Sequence, residues 1–247
     1  MVTKAELIAI SRKGGIPLGT VEKDYVLTAV LKQIFNSEFR DKLAFKGGTA
    51  LHKLYLFKRF SVDLDFTELH EIDTDLLKKV VEFRDIRSKV KNINTIGNSI
   101  RIDLGYVSAL DFPNRIFLDI SKRETPVIPL VEKSIQSPFF EPFDVLTYQL
   151  EELLAEKIRA LMQRKKPRDY LDIYYISESG EADFKKAIEI AEQKLSGYKE
   201  VVDIKKIEEN TELVKSLWNR DLKEVLPEVP DFDDVLDRLI AVFKAFE

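Results

Sequence analysis

Between Leu43 and Leu69 the chain reads LAFKGGTALHKLYLFKRFSVDLDFTEL: an apolar run ends in two glycines and a threonine, a helical octet from Ala50 to Phe57 follows, and Ser61 to Phe66 then alternates with period two. Strand, turn, short helix and strand in so few residues commit this part to a mixed α/β arrangement. The alternation sends Val62, Leu64 and Phe66 to one face and Ser61, Asp63 and Asp65 to the other. Two carboxylates then project side by side, with α-carbons roughly 6.5–7 Å apart, and can share a divalent ion. Oxygen-only ligation favours Mg²⁺ or Mn²⁺ over zinc. A lone Asp-x-Asp is equally a half-exposed strand with solvated aspartates. Here it follows Gly47-Gly48-Thr49, where the glycines let a ligand approach the backbone and the free N–H groups of the next helix favour phosphate. The pair describes a triphosphate cradle facing a metal clamp.

The rest of the chain extends this reading. Two helices, Thr3 to Lys13 and Val21 to Phe35, flank GGIPLG, with Thr20 as a candidate N-cap. A helix is expected from Asp75 to Lys91, and Ile100–Val107 and Arg115–Ser121 read as strands of an antiparallel hairpin. Pro126, Pro129, Pro138 and Pro142 punctuate a boundary region. Beyond it come helices over Val145–Gln163, Arg168–Ser177, Asp183–Leu195, Val201–Lys223 and Asp233–Phe246. The expected architecture is α+β: a mixed lobe over residues 1–141, an all-helical lobe over 142–247, and a cleft between them.

A metal site of this kind calls for a third carboxylate. Asp119 in RIFLDIS, flanked by apolar strand residues, is preferred; Asp103 in IRIDLGY is the rival, since one sequence does not fix the register. In the long helix, Leu146, Leu150, Leu153, Leu154 and Leu161 lie within about 60° of Lys157, so a lysine sits inside the apolar stripe. It either snorkels to water or meets nucleotide phosphates. Arg159, Arg164, Lys165, Lys166 and Arg168 surround the turn QRKKPRDYLD, as a solvated helix end or as a guide for RNA or a nucleotide. Asp169 and Asp172 share one helix face and can pair with these bases or position Lys157.

Composition closes off other chemistries. The chain has no cysteine, hence no disulfide, thiolate metal site or cysteine nucleophile, and a cytoplasmic setting is expected. No signal peptide or membrane-length apolar stretch is present, so no membrane association is expected. A net charge of −4 argues against indiscriminate coating of nucleic acid. His52 and His70 are too isolated for a zinc site, and Trp218 reads as core. Phe232, Val235, Leu236, Leu239, Ile240, Phe243 and Phe246 form an apolar arc that closes the helical lobe or serves a dimer.

FKGGTALHKLY, RFSVDLDF, RIFLDISKRE and EELLAEKIRALMQRKKPRDYLDIYYI, together with EKDYVLTAVL near the N-terminus, resemble in order the motifs of the nucleotidyltransferase AbiEii/AbiGii toxin family. The resemblance covers roughly Glu22 to Ile176 and implies a DNA polymerase β-like nucleotidyltransferase fold with a small mixed sheet. It also implies an NTP substrate, an RNA acceptor such as tRNA, and a cognate antitoxin. Carried onto matching positions, Gly47, Gly48, Thr49 and Ser61 line the triphosphate pocket, and Asp63, Asp65 and Asp119 hold the metals. Lys157 neutralises phosphate, and Arg168, Asp169 and Asp172 support it. Two readings compete with this one: a small-molecule nucleotidyltransferase of the antibiotic-modifying kind, and a non-catalytic nucleotide- or partner-binding module of the same fold.

Overall fold

A computed structural model describes residues 2–55, 59–123 and 125–246; the last two residues of the helix expected from Ala50 to Phe57 lie outside them. Its contacts divide the chain into two compact units, Met1–Tyr148 and Gln149–Glu247.

In the first unit Thr3 and Glu6 close a reciprocal capping box that starts α1 (Lys4–Gly14). Helix α2 (Leu18–Phe35) begins two residues before Thr20, with Pro17 as its N-cap, because the fixed φ of proline already sets the entry. Then come β1 (Leu43–Lys46), α3 (Gly47–Tyr55), β2 (Leu64–Glu68) and α4 (Thr74–Val81). Five further strands follow: β3 (Lys89–Ile96), β4 (Ser99–Val107), β5 (Pro113–Ser121), β6 (Val131–Ile135) and β7 (Phe143–Thr147). They form one mixed sheet in the order β3-β4-β5-β2-β1-β7-β6. The strands β4 and β5 pair antiparallel, while β2 lies parallel to β5 and antiparallel to β1.

One face of this sheet is core. Leu64, Phe66, Ile102, Leu104, Ile116, Leu118 and Ile120 are fully buried, and Phe35 of α2 packs its ring 6.4 Å from that of Phe66. Each such side chain contributes roughly 1.5–3 kcal/mol. A slip of one residue would exchange this set for the charges on the opposite face, so burial fixes the register.

Two of the expected helices are corrected in this unit. The helix expected over Asp75–Lys91 stops at Val81, whose carbonyl accepts from Ser88 Oγ at 2.7 Å. The strand β3 then returns into β4 through Gly97-Asn98, with Gly97 at φ 57°. The proline-punctuated region contains β6, paired antiparallel with β7. Residues 145–147, expected as helix, are strand: Thr147 pairs with Phe45 of β1 and its hydroxyl donates to the Phe45 carbonyl at 2.8 Å, a sheet partner that outweighs helical patterning.

The second unit is helical: α5 (Leu150–Gln163), α6 (Pro167–Ser179), α7 (Phe184–Ser196), α8 (Ile204–Glu209), α9 (Thr211–Leu222) and α10 (Phe232–Lys244). The single helix expected over Val201–Lys223 is two, broken at Asn210, whose side-chain amide donates to the Lys206 carbonyl at 2.6 Å. Trp218 is core: its indole N–H donates to the Pro230 carbonyl at 2.8 Å and its ring meets Phe232 edge-on at 5.1 Å. Phe232, Val235, Leu239 and Phe243 of α10 are buried, whereas Phe246 is exposed.

Candidate functional site

The polar face of the sheet carries the candidate residues in a row set by hydrogen-bond register. Lys46 of β1 lies opposite Asp65 of β2, Asp65 opposite Asp119 of β5, and Asp119 opposite Arg101 of β4. Asp119, not Asp103, is therefore the direct neighbour of Asp65; Asp103 lies opposite Phe117, with Arg115 3.6 Å away. Asp63 corrects the alternation expected for Ser61–Phe66. The strand begins only at Leu64, because the Asp63 carbonyl accepts from the Thr49 hydroxyl instead of a neighbouring strand. Asp63 thus stands at the mouth of β2, its Oδ1 accepting from the Phe117 N–H at a long 3.4 Å. Burial pushes its carboxyl up, and the charge of Asp119 adds to the rise.

The helix α3 starts directly at the glycines, with no intervening turn. Gly47 has φ 77°, and a Cβ there would fall 2.7 Å from Asp65 Cγ. Only glycine combines that backbone with so close an approach to the carboxylate. A Cβ on Gly48 would sit 3.3 Å from Ser61 Oγ, so Gly48, Ser61 and buried Arg59 converge beside the first turn of α3.

Buried charge holds this helix in place. Asp24 of α2 accepts from Lys53 Nζ at 2.5 Å, and His52 Nε2 is 3.6 Å away. Burial alone would raise the Asp24 carboxyl, but the Lys53 ammonium and His52 outweigh it and bring it down to about 2. Two residues earlier in α2, buried Glu22 accepts from the Leu110 N–H at 2.7 Å, in the loop joining β4 to β5. Through two carboxylates α2 holds both α3 and the β4–β5 loop.

In the helical unit Lys157 is bound by the acidic pair: its Nζ is 3.3 Å from Asp169 Oδ1 and 2.8 Å from Asp172 Oδ2. Both aspartates are about 1% exposed at the side chain. Arg164 adds a two-pronged bond to Asp169 at 2.7 and 2.9 Å. Pro167 opens α6, while Lys165 and Lys166 are exposed just before it.

A family model described as nucleotidyl transferase AbiEii toxin, type IV toxin–antitoxin system, matches residues 29–238. The chain belongs to the AbiEii nucleotidyltransferase toxin family. Solved structures that share the fold of this AbiEii protein include two with named proteins. The first is MenT4, a nucleotidyltransferase toxin from Mycobacterium tuberculosis, with TM-score 0.74 and 18% identity over 100% of this chain and 89% of that one. The second is JHP933 from Helicobacter pylori, with TM-score 0.63 and 16% identity over 94% and 93%. No curated protein matches the chain in sequence. Among the described residues no helix is long and apolar enough to cross a membrane.

For a divalent ion the donor set of this AbiEii protein is suitable in kind: three carboxylates, hard oxygen donors, of which Asp63 is raised in part by the charge of Asp119. Among the described residues, however, no group of three or more His, Asp or Glu side chains stands ready to hold a metal. Asp119 is turned toward Arg101, whose Nε and Nη2 take its two oxygens at 2.7 and 2.8 Å.

Lys46, Arg59, Arg101 and the Asp24–Lys53 pair were not candidates on sequence. Lys46, closing the apolar run LAFK, is the one with a local signal. Its neighbour across the strands, like that of Arg101, is visible only once register is known.

Proposed function

We propose that this AbiEii toxin transfers a nucleoside monophosphate from an NTP to a hydroxyl of RNA, tRNA first among the acceptors, in the cytoplasm and under the restraint of a cognate antitoxin. The observation that supports this most is the register row Lys46–Asp65–Asp119–Arg101, with Gly47 of α3 packed against Asp65. Charges of both signs line up across four strands beside a helix N-terminus, an arrangement suited to a polyphosphate.

In this reading the N–H groups at the start of α3, Gly48 and Thr49 among them, donate to the triphosphate, with Gly47 admitting the close approach and Ser61 lining the pocket. A divalent ion, Mg²⁺ or Mn²⁺, held by Asp63, Asp65 and Asp119 would neutralise the phosphates and lower the acceptor hydroxyl's pKa. The acceptor hydroxyl gives its proton to solvent, its oxygen attacks the α-phosphorus in line, the bond to the β-phosphate oxygen breaks, and pyrophosphate leaves. Arg101 must release Asp119 before that carboxylate can serve. Lys157, oriented by Asp169 and Asp172, is assigned to phosphate charge, and exposed Lys165 and Lys166 with Arg168 in the first turn of α6 to the RNA backbone.

The test is incubation of the protein with each α-labelled NTP, Mg²⁺ and total RNA, beside the Asp63→Asn variant. Label in tRNA-sized RNA with wild type alone is the expected result. Label that persists in Asp63→Asn would sink the residue assignment. Labelled small molecules with unlabelled RNA would replace the acceptor, and the absence of both NTP binding and transfer would make the chain a non-catalytic binding module.

A further inference from the structure

Phe117 has no role in the core. Its strand neighbours Ile116 and Leu118 are fully buried on the other face, while Phe117 is half-buried on the polar face, two residues from Asp119. Two guanidinium groups flank it: Arg101 lies 5.4 Å and Arg115 5.3 Å from the ring centroid. Both arginine side chains are well exposed, at 47% and 66%. Register adds exposed Asn92 opposite Asp103 and Asn94 opposite Arg101, so the polar face continues to the sheet edge as amides beside guanidiniums. The Phe117 backbone touches Asp63 through its N–H, and Arg101 holds Asp119. Whatever stacks on this ring therefore lies next to two of the candidate carboxylates.

An isolated aromatic between two arginines, with side-chain amides beyond, matches the needs of a single nucleic-acid strand. The ring accepts a base face whatever the base, and the guanidiniums reach phosphates and stack as planes. A protein partner would call for a broader apolar patch around the ring, and on this face the neighbours are charged or amide-bearing.

We propose that Phe117, Arg101 and Arg115 seat the acceptor's terminal nucleotide, its base stacked on Phe117 and the last two phosphates of the strand on the two arginines. This rests on the transfer reading for the acceptor's identity, and it moves the decisive acceptor contact from the basic turn at 164–168 to the sheet. Specificity at the seat is low, since stacking reads no base edge; selection of one RNA is left to surfaces farther out.

The experiment is fluorescence anisotropy of a labelled single-stranded oligoribonucleotide with a free 3′-hydroxyl, titrated with full-length protein without NTP or metal. Phe117→Ala should weaken binding about tenfold and Phe117→Tyr should restore it, the expected span for one stacked base. Arg115→Gln should lower the slope of log affinity against log salt by about 0.7, the value for one contact to a single strand. Binding of a fluorescent ATP analogue, measured in parallel, should be unchanged in all three variants. Equal oligonucleotide affinity of wild type and Phe117→Ala, or no binding by wild type, overturns the seat even if transfer is observed. Phe117-dependent oligonucleotide binding without NTP transfer leaves the seat standing and removes the transfer reading.

Discussion

Breaking the Asp24–Lys53 pair should show how far the site depends on a contact remote from its chemistry. With its carboxyl at about 2 instead of its ordinary 3.8, Asp24 stabilises the folded unit by about 2 kcal/mol at neutral pH, at roughly 1.4 kcal/mol per pH unit. The sign follows from a depressed folded value: the contribution is complete above about pH 4 and is lost as pH falls through about 2. Lys53→Met removes the ammonium and leaves a carboxylate that burial alone would push up. The expected loss at pH 7 is roughly 3–5 kcal/mol, the cost of stranding one member of a buried pair, with Tm lower by on the order of 10 °C. Asp24→Leu combined with Lys53→Met should recover most of this, because no buried charge is then unmatched. Urea unfolding followed by circular dichroism at pH 7, 4 and 2.5 measures all three proteins, and the gap between wild type and Lys53→Met should narrow at the lowest pH. Lys53→Met within about 1 kcal/mol of wild type at pH 7, or a gap that widens in acid, would refute the reasoning. Since the same pair anchors α3, a fluorescent ATP analogue should also bind Lys53→Met more weakly under conditions where the variant remains folded.

Gly47→Ala should cost roughly 1–3 kcal/mol from positive φ alone, and more from the Asp65 contact, so both Tm and transfer should fall. Gly48→Ala has no such φ; it should hold its Tm within a few degrees yet bind NTP more weakly, and equal behaviour of the two in melting and binding assays would contradict the cradle. Burial raises the Asp63 carboxyl, so its charged form is the strained one: the favourable protonated contribution exists in acid and is lost as pH rises through the raised value. Asp63→Asn, neutral throughout, should therefore melt at pH 7 no lower than wild type while losing transfer. Lys157→Met removes the ammonium facing buried Asp169 and Asp172 and should lower stability by roughly 3 kcal/mol. Arg164→Gln should cost under about 1 kcal/mol, because that arginine is largely exposed and Lys157 still faces Asp169. Denaturant titrations would separate these two.

What the sequence made legible was whatever a short window encodes. The alternation of Ile116, Leu118 and Ile120 against Phe117 and Asp119 is a local pattern, and those three side chains are the ones buried. The helices expected from Arg168 and from Asp233 begin one residue earlier, as α6 and α10, each at a start set by the residues beside it. The failures share one cause. Residues 145–147 carry a helical stripe that continues into α5, but β1 offers Thr147 a backbone partner about a hundred residues away in sequence. Lys89–Ile96 has its signal in the Gly97-Asn98 turn, overshadowed by the helical stretch before it. Asp63 was placed inside a strand because alternation does not report where pairing starts, and a threonine hydroxyl fourteen residues earlier decides that.

The choice between Asp119 and Asp103 shows the same limit in its sharpest form. Both are acidic residues amid apolar strand neighbours; the local pattern ranks Asp119 first, but it does not say which of them lies beside Asp65. The parallel pairing of β2 with β5 does: it sets Asp119 beside Asp65, while the antiparallel turn back from β4 leaves Asp103 opposite Phe117. That register is held by the core face, where Leu64 meets Leu118 and Phe66 meets Ile120. The apolar residues behind the sheet thus decide which charges meet in front of it. A substitution such as Leu118→Ala, which touches no candidate ligand, should cost roughly 2–5 kcal/mol and loosen the spacing of Asp65 and Asp119 along with the core. If NTP binding in that variant fell only in proportion to the folded fraction, the site would be rigid once formed; a larger fall would place part of its geometry in the packing itself.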